Sequence, residues 1–239
     1  MPERWQVMSD QLSLLEKFAL TIDLERRSEY TQGKGWRIDE HHAQLPSEPP
    51  GEPLEHGPFR IAQEIMRSYQ FPPPDLIVGI FRPDDPLERR VMLLEARFLW
   101  FRFVFGVRVT GVIDEQTPEE YTWGYSYATL DGHFERGEIS FSITKNLASG
   151  EVDFRIKSFS RRGTIKNIFY RIGFWMFGRR LQLRFAQDSL LRMQKLIQEK
   201  LQSTTIPKPE SAKSSPIKPV SEDPKAAEKL ETLKTTGRT

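Results

Sequence analysis

His133, Glu135 and Glu138 are the titratable side chains of this sequence whose spacing invites chemistry. They follow a strand in which Tyr121, Trp123, Tyr125 and Tyr127 alternate with Thr122, Gly124, Ser126 and Ala128, so the four aromatics share one face. Asp131-Gly132 between the two segments predicts a tight hairpin turn with both residues at positive φ. An aromatic strand paired with an ionisable one can line a pocket. A histidine beside a carboxylate there can be tuned near neutral pH, which makes His133 and Glu138 a candidate catalytic acid–base pair. The same residues also fit a polar hairpin end, with Glu138 serving backbone donors and His133 half exposed. No nucleophile is identifiable with them, so both readings stay open.

The register of this hairpin carries its own prediction. A two-residue loop pairs Leu130 with His133, which turns Ile139 and Phe141 away from the aromatic stripe. One extra residue at Gly137 or Glu138 brings them back, pairing Tyr125 with Ile139 and Trp123 with Phe141. A β-bulge is therefore expected there.

Composition narrows the remaining chemistry. The chain has 239 residues and no cysteine, which excludes disulfides, thiolate metal sites and a cysteine nucleophile. Its four histidines, His41, His42, His56 and His133, are too scattered for a dedicated zinc site, so neither metal nor cofactor is expected. A net charge of +2 makes no global case for nucleic acid. The basic charge is uneven, however: nine Lys or Arg and no acid lie between Phe154 and Gln187. Residues 168–180 and 98–106 interleave arginine with aromatics, as a protein resting on an anionic membrane would. Core aromatics flanked by arginines on a wet face give the same pattern, and single-stranded nucleic acid is the least favoured partner. No apolar run follows a basic start, and none reaches a membrane-spanning length, so a cytoplasmic location is expected.

The elements that must position these residues follow from periodicity. Residues 9–28 read as a helix and, with the chain up to residue 30, as an N-terminal appendage. Residues 31–58, rich in Pro, Gly and Glu, read as a loop without regular structure. A helix is expected over 59–69, stopped by Pro72-Pro73-Pro74, and strands over 76–81, 91–101, 104–113, 121–130, 134–144 and 152–159. Ala186, Ser189, Leu190, Met193, Leu196, Ile197 and Leu201 form one stripe of a long helix ending near Gln202. Residues 203–239, with five prolines and no aromatic, are expected to be a disordered tail. The order predicts an α+β domain over 31–202, a curved antiparallel sheet wrapped around the long C-terminal helix.

Five segments carry a family resemblance: RIDEHHAQLPSEPPGEP (37–53), PLERRVMLLEARF (86–98), TLDGHFERGEISF (129–141), FRIKSFSRRG (154–163) and FGRRLQLRFAQDSLLRM (177–193). Together they resemble the uncharacterised bacterial and plant family catalogued as domain of unknown function nineteen-ninety, over roughly residues 30–200. That family is similar to the START-like, birch-pollen-allergen-like helix-grip superfamily. The resemblance implies a cavity between sheet and helix that takes lipids, sterols or polyketides, with catalysis in some members only. By motif match, Tyr127, Thr129, Gly132, His133, Glu135, Gly137 and Glu138 carry the hairpin pattern, and Ser160 and Arg161 a serine–arginine pair. Arg162 stands where the family often has proline.

The leading expectation is thus a non-enzymatic binder of a hydrophobic, lipid-like small molecule. Trp123, Tyr125, Tyr127 and Phe154 on the sheet would face Leu190, Met193 and Ile197 on the helix, with Arg136 and Glu138 as polar anchors. The alternatives are an enzyme acting on such a ligand through His133 and Glu138, and a membrane-peripheral or scaffold protein whose interior is packed. Oligomeric state is not legible in the sequence.

Overall fold

Alternating side chains carry most of the chain into one curved antiparallel sheet. The computed structural model describes residues 2–98, 101–133, 135–163 and 168–205. Its strands are β1 (Arg37–Leu45), β2 (Ile77–Ile80), β3 (Val91–Phe98), β4 (Phe101–Gln116), β5 (Glu120–Thr129), β6 (Glu135–Asn146) and β7 (Val152–Arg162). They lie in the order β1-β7-β6-β5-β4-β3-β2. Strands β2 to β7 form a meander, and β1 returns to close the far edge against β7. Three helices accompany the sheet: α1 (Pro2–Leu15), α2 (Pro58–Arg67) and α3 (Ile168–Thr205). This is the helix-grip architecture, a curved sheet holding a long C-terminal helix.

The concave face and the two longer-packed helices share one core. Phe59, Ala62, Ile65 and Met66 of α2 are fully buried, as are Met193 and Ile197 of α3. Phe71, just after α2, stands 4.7 Å from Phe141 and 5.6 Å from Phe154, ring centre to ring centre. Each such side chain contributes about 1.5–3 kcal/mol of transfer free energy. The stripe read from the α3 sequence is the buried one.

Three expectations change. First, residues 37–45, read as loop, are β1. Its sequence RIDEHHAQL hides the strand because an edge strand here has one neighbour and stays largely wet, so no apolar alternation is demanded. Second, the N-terminal helix ends at Leu15 rather than Ser28, and the chain does not stand off as an appendage. It crosses the convex face, where Ile22 and Trp36 bury Ala128 and Tyr30 packs on Phe159. Leu20 bridges Leu130, and Asp23 starts a short 3-10 helix by accepting from the Glu25 backbone N–H at 3.0 Å. Residues Met1–Thr205 accordingly form one unit.

Third, the hairpin register is set in the loop. The pairing Ala128 with Glu138, Tyr127 with Ile139, Tyr125 with Phe141 and Trp123 with Ile143 runs without interruption. The parity that puts Ile139, Phe141 and the aromatic stripe on one face is reached by a longer connection, not by a bulge at Gly137–Glu138. The Leu130 carbonyl still accepts from the His133 N–H at 3.2 Å, but only Gly132 of the turn has positive φ, at 90°. The bulge lies one strand away, in β4 between Val109 and Gly111. Gly137 has a different role. A Cβ there would lie 2.2 Å from the Phe159 carbonyl oxygen, so only glycine lets β6 and β7 approach this closely. The disordered-tail expectation falls, from residue 206 onward, outside the described residues.

Candidate functional site

The concave face has two ends of different character. At the end where β6 finishes, near Lys145, large side chains fill the space. Trp123, Phe141, Phe154, Phe59 and Phe71 are fully buried together with Met193 and Ile197. Tyr125 donates to the Met66 carbonyl at 3.1 Å, and the Tyr127 and Tyr69 hydroxyls meet at 3.0 Å. Burial holds all three phenols protonated, well above the usual tyrosine range. Trp123, Tyr125, Phe154, Met193 and Ile197, expected to line a pocket, are thus brought together as core. Tyr127 sits nearer the middle of the sheet, and Leu190 is only partly buried.

Both expected polar anchors lie on the opposite, convex face. Strand alternation that turns Ile139 inward turns Arg136 and Glu138 outward. Arg136 donates to the Thr21 carbonyl at 2.8 Å. Glu138 is buried, accepting from Arg27 Nη2 at 2.7 Å, Arg27 Nε at 3.0 Å and the Thr110 hydroxyl at 2.9 Å. The β4 bulge presents Thr110, and small Ala128 between them leaves the path clear. These groups fasten the N-terminal segment to the sheet; they do not face the interior. The structure therefore does not bring His133 and Glu138 together as an acid–base pair.

The carboxylate that shares the concave side with His133 is Glu135. It accepts from the Gln182 side chain of α3 at 2.6 Å, while Gln182 in turn accepts from Arg37 at 3.1 Å. One turn earlier on α3, Arg179 clasps Asp39 of β1 with contacts of 2.6 and 2.8 Å. His133 packs edge-on against Phe105, ring centres 4.4 Å apart, and its Nδ1 accepts from the Glu135 backbone N–H at 2.8 Å. The ring proton therefore sits on Nε2. Desolvation pushes His133 down from 6.5 to about 4. At neutral pH the imidazole is uncharged, able to pass a hydrogen bond but not to act as a cation.

This shift predicts a pH dependence. The unfolded chain takes up a proton on His133 below pH about 6.5 while the folded protein resists until about 4, so acidification through that window favours unfolding. Relative to His133→Asn, which keeps an acceptor for Glu135, the wild type should lose roughly 1–3 kcal/mol between those pH values. Urea midpoints at neutral pH and near pH 4 measure it; parallel losses in the two proteins would place the imidazole in water.

Side-chain size falls sharply at this end. Ser158 and Ser160 follow Phe154 and Ile156 along the inward face of β7, and β3 offers Ala96. On α3, Ala186 and Ser189 replace the Met193 and Ile197 of the packed end. Phe105, Ile139, Phe185 and Leu190 border these small residues and are only partly buried. Ala186 and Ser189 were legible on the helix stripe as buried positions, and their smallness was the unread signal.

Elsewhere the surface offers less. A groove of about 480 Å³ on the convex side runs past His42, Gln44, Thr144, Asn146, Glu151 and Asp153. Its His42 and Asp153 pair at 3.2 Å, and Arg155 reaches Asp153 at 3.5 Å. Among the described residues no group of three or more His, Asp or Glu could hold a metal ion, and no helix is long and apolar enough to cross a membrane. The basic-aromatic segment 168–180 lies, up to residue 178, outside the described side chains, as do Phe98 to Phe101. From the other run, Arg102 and Val104 are exposed.

A seven-stranded antiparallel sheet curved around a long C-terminal helix defines a helix-grip α+β protein. The chain belongs to the family described as domain of unknown function (DUF1990), which matches residues 23–192 and so includes Arg27, β1 and most of α3. Solved structures with similar folds include Ara h 8.0201, at 12% identity and a TM-score of 0.44, covering 69% of this chain and 99% of that one. A START superfamily protein from Mycobacterium smegmatis aligns at 12% identity and a TM-score of 0.41, covering 68% and 97%. A norcoclaurine synthase point mutant from Thalictrum, in complex with a transition-state analogue, aligns at 6% identity and 0.41, covering 71% and 97%. No curated protein matches the sequence.

Proposed function

We propose that this protein binds a hydrophobic small molecule between the sheet and α3, at the end marked by His133, Glu135 and Gln182. The observation that carries this reading is the step in side-chain size along one continuous concave face. Where Met193 and Ile197 meet Phe154 and Phe71, the interior is solid. Where Ala186 and Ser189 face the end of the sheet bearing Ser158, Ser160 and Ala96, partly buried Phe105, Ile139 and Phe185 supply apolar walls. A site with apolar walls and a few polar groups is the usual composition of a small-molecule pocket. The expectation of a lipid-like ligand is thereby kept and its place moved from Trp123 and Met193 toward Phe185.

Diphenylhexatriene, a hydrocarbon that fluoresces in apolar surroundings, is the test probe. The wild type should bind it. Ala186→Trp should fill the space and weaken binding by about tenfold or more, or roughly 1.4 kcal/mol, with little change in melting temperature. Met193→Trp should instead overfill a packed core, costing about 1–3 kcal/mol, while the folded protein still binds the probe. Absence of binding to the wild type, or unchanged binding by Ala186→Trp, would defeat the proposal.

A further inference from the structure

Resting on that reading, we infer that Ser189 holds the oxygen of an uncharged amphiphile, such as a long-chain alcohol, ketone or ester, inside the grip. Ser189 is fully buried on α3, and its Oγ has no hydrogen-bond partner among the described residues. Helix serines commonly return their hydroxyl to the carbonyl one turn back, but Ser189 makes no such bond to Phe185. A buried hydroxyl left unmatched is costly, so its place in the stripe needs a partner that arrives from elsewhere. The stripe position sets where that partner stands. Ala186 lies one turn before Ser189 and Met193 one turn after, so the hydroxyl marks the boundary between the small-residue space and the solid core.

The charge around the stripe argues for a neutral ligand. Arg179 is engaged by Asp39 at 2.6 and 2.8 Å, and Gln182 is taken by Glu135 and Arg37. A carboxylate buried against Ser189 would stand on the same side of the sheet as Glu135, which Gln182 already joins to α3. Burying such a charge is far more costly than burying a hydroxyl or carbonyl that the serine can pair. The apolar walls then take the chain and Ser189 takes the single oxygen.

Displacement of diphenylhexatriene by dodecanol and by dodecanoate at mildly alkaline pH tests the assignment. Dodecanol should displace the probe at lower concentration than dodecanoate. Ser189→Ala should weaken dodecanol by about three- to tenfold and leave the hydrocarbon probe unaffected. The empty Ser189→Ala protein should melt no lower than the wild type, because it loses an unmatched hydroxyl; a clearly lower melting temperature would mean that the hydroxyl already has a partner and would overturn the inference. Equal dodecanol affinity in both proteins, or tighter binding of dodecanoate by the wild type, would also overturn it. Those outcomes leave the cavity itself standing, whereas a wild type that binds no diphenylhexatriene removes the cavity and this inference with it.

Discussion

Lys145→Met is expected to destabilise the domain by about 3–5 kcal/mol, the scale found when one partner of a buried ion pair is removed. Lys145 and Glu48 are both fully enclosed, Nζ to Oε2 2.8 Å, and Lys145 also donates to the Glu52 carbonyl at 3.1 Å. The Glu48 carboxylate accepts from the backbone N–H groups of Phe59 at 2.8 Å and Leu54 at 3.0 Å, so it fastens the start of α2 as well. With methionine at 145 the carboxylate keeps those two donors but loses its countercharge in a dry site. Adding Glu48→Gln should recover part of the loss, since a neutral amide can still accept from one of the two N–H groups. Urea unfolding of the two single variants and the double variant gives the coupling directly. A loss below about 1 kcal/mol for Lys145→Met would show that water reaches the pair.

The second large effect belongs to the convex face. Arg27→Met should cost on the order of 2 kcal/mol. It leaves Glu138, with a side chain only 5% exposed, facing the Thr110 hydroxyl alone. The value is set below that of the Lys145 pair because the Arg27 side chain is 41% exposed and part of its attraction is screened. Arg27→Met with Glu138→Leu should be more stable than Arg27→Met alone. All these variants should bind diphenylhexatriene as the wild type does, because Glu138 and Arg27 lie on the side of the sheet away from the grip. Loss of probe binding in Glu138→Leu, with the fold intact, would return Glu138 to the site and contradict the face assignment.

These two pairs also show why the candidate site was only partly legible. Lys145 continues the inward alternation of Phe141 and Ile143, and a lysine at that place reads as the wet end of a strand. Its partner Glu48 sits in a proline-rich segment that no periodicity connects to β6. Glu138 reads as a pocket anchor because it lies on the ionisable strand that returns beside the aromatic one, five residues after His133, but nearness in sequence says little about nearness in space. Faces alternate at every residue, so a change of loop length moved the pairing by three positions relative to a two-residue turn. Asp131-Gly132 does mark a turn, but the residues around it, including the Leu20–Leu130 bridge from the N-terminal segment, decide its length.

What the sequence by itself determined is the set of elements and the faces they bury. Alternation in β5, β6 and β7, and the helical stripe from Ala186 to Leu201, are each written within a few neighbouring residues, and burial enforces them whatever the rest of the chain does. Such local periodicity also carries the helix-grip order. Only the tertiary structure decided which buried positions join one core and which lie on the opposite face of the sheet. Met193 joins the buried cluster of Phe154 and Phe71, while farther along the same face β7 turns from phenylalanine to serine. It likewise decided that β1 exists and that the N-terminal segment belongs to the domain. Both are held by partners more than a hundred residues away, Phe159 and Glu138 among them, and pairings of that range leave no periodic trace in the chain.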